Sequence, residues 1–349
     1  MSTTRAEKVV LAGSGKVGGG FLEIVRVNRE YLAHRYGLDL RIIAVVEADG
    51  ALVDPGGLDL TSHTFAGRGG PRPEDLRTDS RWQPGITVTD VIEQRSATLY
   101  VDATPLNIAT AEPTKSHILQ ALNSGLNVVT ANKGPLALSY SQLNDSVPAG
   151  AYLRYSACVA GALPVINVGT RDLGAEPIEI FEGVLNGTSL YVLRAVLAGR
   201  TLPEAIHEAQ RLGITEEDPE LDLHGFDAAC KLVIVANAVM HHRCALHDVD
   251  ITPLDESVLD SLTSSSSTRE AVLPLARAAP NHRFGLALTV GPKPVPDHHP
   301  LARLRATQMG AVMSTASVPE LVLISDEPAA RPASAALLRD VLDIHRSSR

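Results

Sequence analysis

The sequence predicts an α/β protein built on a doubly wound parallel sheet, and three observations carry that expectation. Short apolar runs alternate with helix-patterned segments over the first 150 residues. The first of these runs, Lys8 to Ala12 (KVVLA), leads straight into Gly13-Ser14-Gly15-Lys16-Val17-Gly18. At 349 residues and 44% hydrophobic content the chain is long enough for about two domains with sizeable cores.

In chain order, Lys8 to Ala12 reads as a buried strand, and after the glycines a helical pattern runs through Phe21, Leu22, Ile24 and Val25. G-x-G-x-x-G between a strand and a helix is the setting of a Rossmann-type dinucleotide site. Gly13, Gly15 and Gly18 let backbone approach a pyrophosphate, while Lys16 and Val17 open the helix whose N–H groups meet its charge. The polar stretch RVNREYLAHRYG implies that the first crossover helix is long. Leu40 to Val46 is the second strand. Glu47 at its end is placed to accept hydrogen bonds from an adenosine ribose, which favours NAD over NADP, although Lys16, Arg68 and Arg72 are available to a 2′-phosphate. Residues 50–85, rich in Gly, Pro, Asp and Arg, read as an extended loop region. A strand from Thr98 to Ala103 then ends in Thr104-Pro105, a helix covers Ser116 to Asn123, and the strand Asn127 to Thr130 runs into Ala131-Asn132-Lys133-Gly134-Pro135. Ligands of such sheets bind beyond the carboxyl ends of the strands, which puts Thr104, Pro105 and Lys133 beside the cofactor, with Lys133 in a loop held by a Gly-Pro turn.

Residues 213–240, GITEEDPELDLHGFDAACKLVIVANAVM, hold the densest chemistry. Glu216, Asp218, Asp222, Asp227 and Lys231 lie ahead of and inside an apolar helix that begins near Gly225. Asp227 and Lys231 are four apart, on one face with Ile234, Val235 and Ala238, so Lys231 points inward. A desolvated lysine needs a carboxylate neighbour or loses its proton, and either condition suits a group that exchanges a proton with substrate. The competing possibility is an exposed helix ion pair worth about 0.3–0.5 kcal/mol.

A net charge of −9, without basic runs that carry interleaved aromatics, argues against nucleic acid and anionic membrane as partners. The polar start MSTTRAEK and the lack of any apolar stretch near ~18 residues predict a cytoplasmic protein without signal or span. Cys158, Cys230 and Cys244 form no C-x-x-C pair, as in a reducing compartment. The cluster from His241 to His247 is expected to hold no metal, because adjacent histidines at a helix end point in different directions. His298 and His299 read as loop residues and Ser264 to Ser267 as a surface loop.

These segments together resemble the homoserine dehydrogenase family over nearly the whole chain. The motifs are GSGKVG, VDATP, VVTANKGPLA, the Leu-Pro-Val-Ile segment at 163–166, GVLNGTSLYVL at 183–193 and EEDPELDLHGFDAACKL, with DHHPLARLRA at 297–306 and the closing ASAALLRDVLDI. The resemblance implies a dinucleotide-binding domain over 1–150, an α+β substrate-binding, catalytic and dimerisation domain over 151–318, and a return segment over 319–349 that packs on the nucleotide domain. Neither a kinase domain before the glycine loop nor a regulatory domain after the last helix is expected. It further implies interconversion of L-homoserine and L-aspartate 4-semialdehyde with NAD or NADP, in threonine and methionine biosynthesis, by a homodimer or homotetramer. In that chemistry Lys231 gives and takes the proton at the alcohol or aldehyde oxygen, Lys133 is a second catalytic lysine near the same oxygen, and Asp227 orients them. Glu216 and Asp222 hold the substrate ammonium, and the Asn186-Gly187-Thr188 backbone turn, with Tyr191, lies against substrate.

The chain also departs from that family. A glycine-rich loop near the nicotinamide reads here SDEPAARPASA, 325–335. A family glutamate appears as Ser156 and a glycine as Ala162, which puts in doubt the monovalent cation that similar enzymes bind by the turn near Val159 to Leu163. The residues after Gly187-Thr188 read Ser189-Leu190-Tyr191. Two other functions are weighed: an oxidoreductase of the same build acting on a related semialdehyde or hydroxy acid in a specialised pathway, which the altered loop favours, and a non-catalytic nucleotide-binding regulator, which the retention of Lys133 and Lys231 disfavours.

Overall fold

The computed structural model describes residues 5–62, 65, 70–94, 96–215, 218–265, 270–281, 285–327 and 331–348. The chain divides into two compact units, Met1–Gly161 with Ala330–Arg349, and Ala162–Ala329.

The first unit is laid out as β1 (Arg5–Ala12), α1 (Lys16–Val27), α2 (Arg29–Tyr36), β2 (Leu38–Glu47), β3 (Gly50–Val53), α3 (Pro73–Arg77), β4 (Trp82–Pro84), α4 (Val88–Glu93), β5 (Leu99–Asp102), α5 (Thr114–Asn123), β6 (Asn127–Thr130), α6 (Lys133–Asp145) and β7 (Leu153–Arg154). Its seven-stranded sheet has the order β4-β3-β2-β1-β5-β6-β7. Strands β1, β2, β5, β6 and β7 run parallel. Val9 to Ala12 are fully buried, as expected of an interior parallel strand covered on both faces. Two local expectations are corrected. The crossover after the glycine loop is not one long helix: Asn28 leaves helical geometry at φ −101° and donates its side-chain amide to Ile24 O (2.9 Å), so α1 and α2 are separate. The stretch 50–85 is not only loop. Ala48-Asp49 closes a two-residue hairpin that turns β3 antiparallel onto β2, and β4 pairs antiparallel with β3.

The second unit runs α7 (Val165–Asn167), β8 (Ile180–Val184), α8 (Gly187–Leu197), α9 (Leu202–Arg211), α10 (Glu220–Leu223), α11 (Phe226–Ala238), β9 (Val249–Ile251), α12 (Glu256–Ser265), β10 (Glu270–Asn281), β11 (Gly285–Pro296), β12 (Gln308–Ser314) and β13 (Leu321–Asp326). Its six strands order as β13-β12-β8-β10-β11-β9. The apolar run from Ala228 to Ala238 explains why α11 is buried on all sides. Ser264 and Ser265 end α12 rather than opening a loop, and 266–267 fall outside the described residues.

The chain returns to the first unit through α13 (Arg331–Ser347). That return starts later than residue 319, because β13 is hydrogen-bonded to β12 within the second sheet. Leu337, Leu338, Val341 and Ile344 of α13 join Val9, Phe21, Leu22 and Val25 in one core. The approach of α13 to α1 accounts for Gly20: a Cβ there would stand 2.5 Å from Ser334 Oγ, which donates to Val17 O (2.8 Å).

Candidate active site

The glycine loop between β1 and α1 is shaped by two internal constraints and one opening. Gly13 has φ +83°, and a Cβ there would lie 2.7 Å from Ala103 O; a Cβ on Gly18 would lie 1.9 Å from Gly13 O. Gly15 has nothing within 4 Å of its would-be Cβ and is exposed, so the loop apex is free for a close-lying phosphate. Lys16 and Val17 form the first turn of α1, with Lys16 exposed. Glu47 ends β2 as expected, and its carboxylate accepts the Ser14 N–H at 2.5 Å. The glycine cradle therefore fits a dinucleotide, with Glu47 at its edge. Arg68 lies outside the described residues, while the Arg72 backbone caps α3 through Asp75.

At the carboxyl ends of β5 and β6 the structure brings Thr104, Pro105 and Lys133 together through a polar network centred on Asp102, which is fully buried. Asp102 accepts the hydroxyls of Thr104 (2.7 Å) and Thr130 (2.6 Å). Asn132 donates to Pro105 O (2.9 Å) and Thr114 Oγ1 (3.2 Å), and its Oδ1 accepts the Gly134 N–H (3.1 Å). Lys133 is thus the first residue of a capped helix, not part of a Gly-Pro loop: Asn132 is the N-cap, and Pro135 sits in the first turn where it costs no hydrogen bond. The Thr104 hydroxyl is committed to Asp102.

Burial pushes the Asp102 carboxyl up to about 6, against the hydrogen bonds from Thr130 and Thr104. A carboxyl raised in the folded state favours the fold when protonated. Its contribution is complete below the ordinary value of about 3.9 and is lost as pH rises through about 6. Between those limits the melting temperature of the wild type should fall more steeply with rising pH than that of Asp102→Asn. Equal slopes in thermal melts would show that Asp102 does not titrate in that window.

In the second unit Lys231 is 8% exposed. Its ammonium lies 2.7 Å from Asp227 Oδ2 and donates to Leu185 O at 2.6 Å. The inward-facing pair is what the spacing implied, and an exposed helix pair is ruled out. Asn186 ties the rest together: its amide donates to Asp222 Oδ1 (2.7 Å) and Asp227 Oδ2 (2.9 Å), and its Oδ1 accepts the Ser189 N–H, capping α8. Burial and the neighbouring Asp227 raise the Asp222 carboxyl, opposed by Thr188, Asn186 and Lys231. Ser189 Oγ donates to Asp222 O (2.8 Å). A cavity of about 310 Å³ opens beside this cluster, lined by Asn186, Gly187, Thr188, Ile214, Thr307 and Glu327 among others. Tyr191 packs against the apolar cluster of α8 and α9. Glu216 lies outside the described residues.

Sequence inspection did not single out the side chains of Asn186, Asp102 and Glu327. An asparagine just before a helical run signals an N-cap, yet nothing in the pattern shows that its amide bridges two carboxylates from distant elements. Glu327 comes from the segment that departs from the family; its Oε1 accepts the N–H groups of Ala162 (2.7 Å) and Leu163 (3.1 Å). Nor does the Gly161 end of the neighbouring turn fit a monovalent cation. Ser156 offers no carboxylate, and the Gly161 carbonyl already accepts from the Arg339 guanidinium (3.1 Å). Among the described residues no group of three His, Cys, Asp or Glu side chains is placed to hold a metal.

Residues 13–152 match the family model of the homoserine dehydrogenase NAD-binding domain, and residues 164–342 that of homoserine dehydrogenase itself. The chain is 30% identical over 343 residues to the homoserine dehydrogenase of Methanocaldococcus jannaschii, covering 98% of this chain and 99% of that one. It is 30% identical over 348 residues to the NAD(+)-dependent homoserine dehydrogenase of Pseudomonas canavaninivorans, covering 98% and 97%. Its fold matches that of a hyperthermophilic archaeal homoserine dehydrogenase in complex with NADPH, with a TM-score of 0.81 and 22% identity over 98% of each chain. With the glycine cradle and the buried Asp227–Lys231 pair on the same chain as both family matches, the protein belongs to the homoserine dehydrogenase family of NAD(P)-dependent oxidoreductases.

Proposed function

We propose that Lys231 is the proton-transfer group for the interconversion of L-homoserine and L-aspartate 4-semialdehyde. The observation that carries this is a buried ammonium held between Asp227 and Leu185 O, with Asp227 bonded in turn to Asn186 in the wall of the cavity. The nicotinamide supplies or receives the hydride when bound in the Gly13–Gly18 cradle. In the reducing direction Lys231 donates a proton to the aldehyde oxygen, and in the oxidising direction its neutral form takes the alcohol proton. Asp227 and the Leu185 carbonyl fix the direction in which Nζ presents that proton. Asp222, with Glu216, receives the substrate ammonium, and the first-turn amides of Gly187 and Thr188 face the substrate carboxylate. Lys133, at the start of α6, stabilises charge on the reacting oxygen as the second lysine.

The test is a nicotinamide absorbance assay with homoserine and a panel of other amino alcohols, each with NAD and NADP. Oxidation of homoserine above all others is expected; selective oxidation of another amino alcohol would move the substrate assignment. The same assay decides the cofactor. NAD should be preferred, because a 2′-phosphate near Glu47 meets like charge at a cost of about 1–4 kcal/mol for groups ~4 Å apart. In Glu47→Ala that preference should shrink or invert. A wild type that favours NADP by about tenfold in kcat/KM, some 1.4 kcal/mol, would show that basic residues set the choice.

The chain is proposed to act as a homodimer or homotetramer. The supporting feature is the sheet edge at β13, where Ile324 is 48% exposed. A cytoplasmic location is supported by three cysteines that form no disulfide. Among the described residues no helix is long and apolar enough to cross a membrane.

A further inference from the structure

Where the first unit hands over to the second, the segment 156–161 is held by two consecutive residues of α13. Ser156 donates both its N–H (2.7 Å) and its hydroxyl (2.5 Å) to Asp340, which is fully buried. Arg339 Nη2 donates to the Gly161 carbonyl (3.1 Å), and its Nε is buried without a hydrogen-bond partner. Gly161 is pressed onto the start of α13, since a Cβ there would stand 2.3 Å from Ala333 N. The guanidinium thus already places a positive charge on this carbonyl, and a free cation there would meet like charge.

We propose that Arg339 and Asp340 replace a bound monovalent cation and its carboxylate ligand at this turn, the positive charge being tethered to α13. Burial raises the Asp340 carboxyl, and its ionised form is stabilised first by the two Ser156 hydrogen bonds and then by the nearby guanidinium charges of Arg339 and Arg154. The charge pattern is the one that a glutamate at position 156 and a free cation would supply, but both charges now arrive on one helix. Arg339 is a positioning residue, which sets the path of the chain between Ser156 and Gly161 through the Gly161 carbonyl.

The experiment compares turnover and melting temperature at pH 8, above the value of about 6 to which burial pushes Asp340, in sodium, potassium or tetramethylammonium chloride at one ionic strength. The wild type is expected to show the same turnover and the same melting temperature in all three. Arg339→Met is expected to lose about tenfold in turnover in tetramethylammonium. Sodium or potassium should restore part of that loss and raise the melting temperature of the variant only. A wild type whose turnover or melting temperature drops in tetramethylammonium overturns the proposal, and this arm stands even if the variant does not fold. So does a folded Arg339→Met that matches the wild type in tetramethylammonium. The melting arm reads the ion requirement independently of which alcohol is the substrate.

Discussion

Lys231→Ala is expected to lower the turnover of homoserine by about 100-fold or more, the scale of losing a positioned proton donor and acceptor. The substitution also leaves Asp227 and the Leu185 carbonyl without the ammonium that now satisfies both, at distances of 2.7 and 2.6 Å. Some loss of stability will accompany it, so circular dichroism and a melt must show a folded variant before turnover is compared. Lys231→Arg separates the two effects. A guanidinium keeps the charge beside Asp227 but does not release its proton near neutral pH, so the variant should fold and remain nearly inactive. Turnover close to wild type in either folded variant removes the proton-transfer role from Lys231.

Lys133→Ala should lower turnover by about 100-fold while changing dinucleotide affinity far less, as for an electrostatic donor aimed at the reacting oxygen. The capping geometry makes this a clean experiment. The cap of α6 is the hydrogen bond from the Gly134 N–H to Asn132 Oδ1, which Lys133→Ala leaves in place, and alanine is well tolerated in a first turn. Single-turnover rates and cofactor titration by fluorescence would separate the outcomes. Weakened cofactor binding with turnover preserved at saturation would make Lys133 a phosphate or ribose ligand.

The parts of the molecule legible in the sequence are those set by local pattern. Strand-glycine-helix order exposed the cofactor cradle, and four-residue spacing in an apolar helix placed Lys231 against Asp227. What stayed hidden depends on side chains from distant elements meeting. Asn28 looks like one more polar residue in a helical stretch until its amide is seen taking the Ile24 carbonyl. Asn186 belongs to a motif that drew attention for its backbone, yet its side chain joins Asp222 and Asp227, which lie 36 and 41 positions on. Asp102 follows an apolar run and reads as the end of a strand; only the fold shows it fully buried, with Thr104 and Thr130 answering it.

The return helix α13 bears on how the chain is made. Ribosomes add roughly 5–20 residues per second, and domains commonly fold as they emerge. The nucleotide-binding unit is begun first, but part of its core is held in a helix that follows the substrate unit in sequence: Leu337, Leu338, Val341 and Ile344 cover Phe21, Leu22 and Val25. The inserted substrate unit can complete its own sheet before those residues are synthesised, whereas the unit begun first must wait, with the apolar side of α1 uncovered, until α13 has been made.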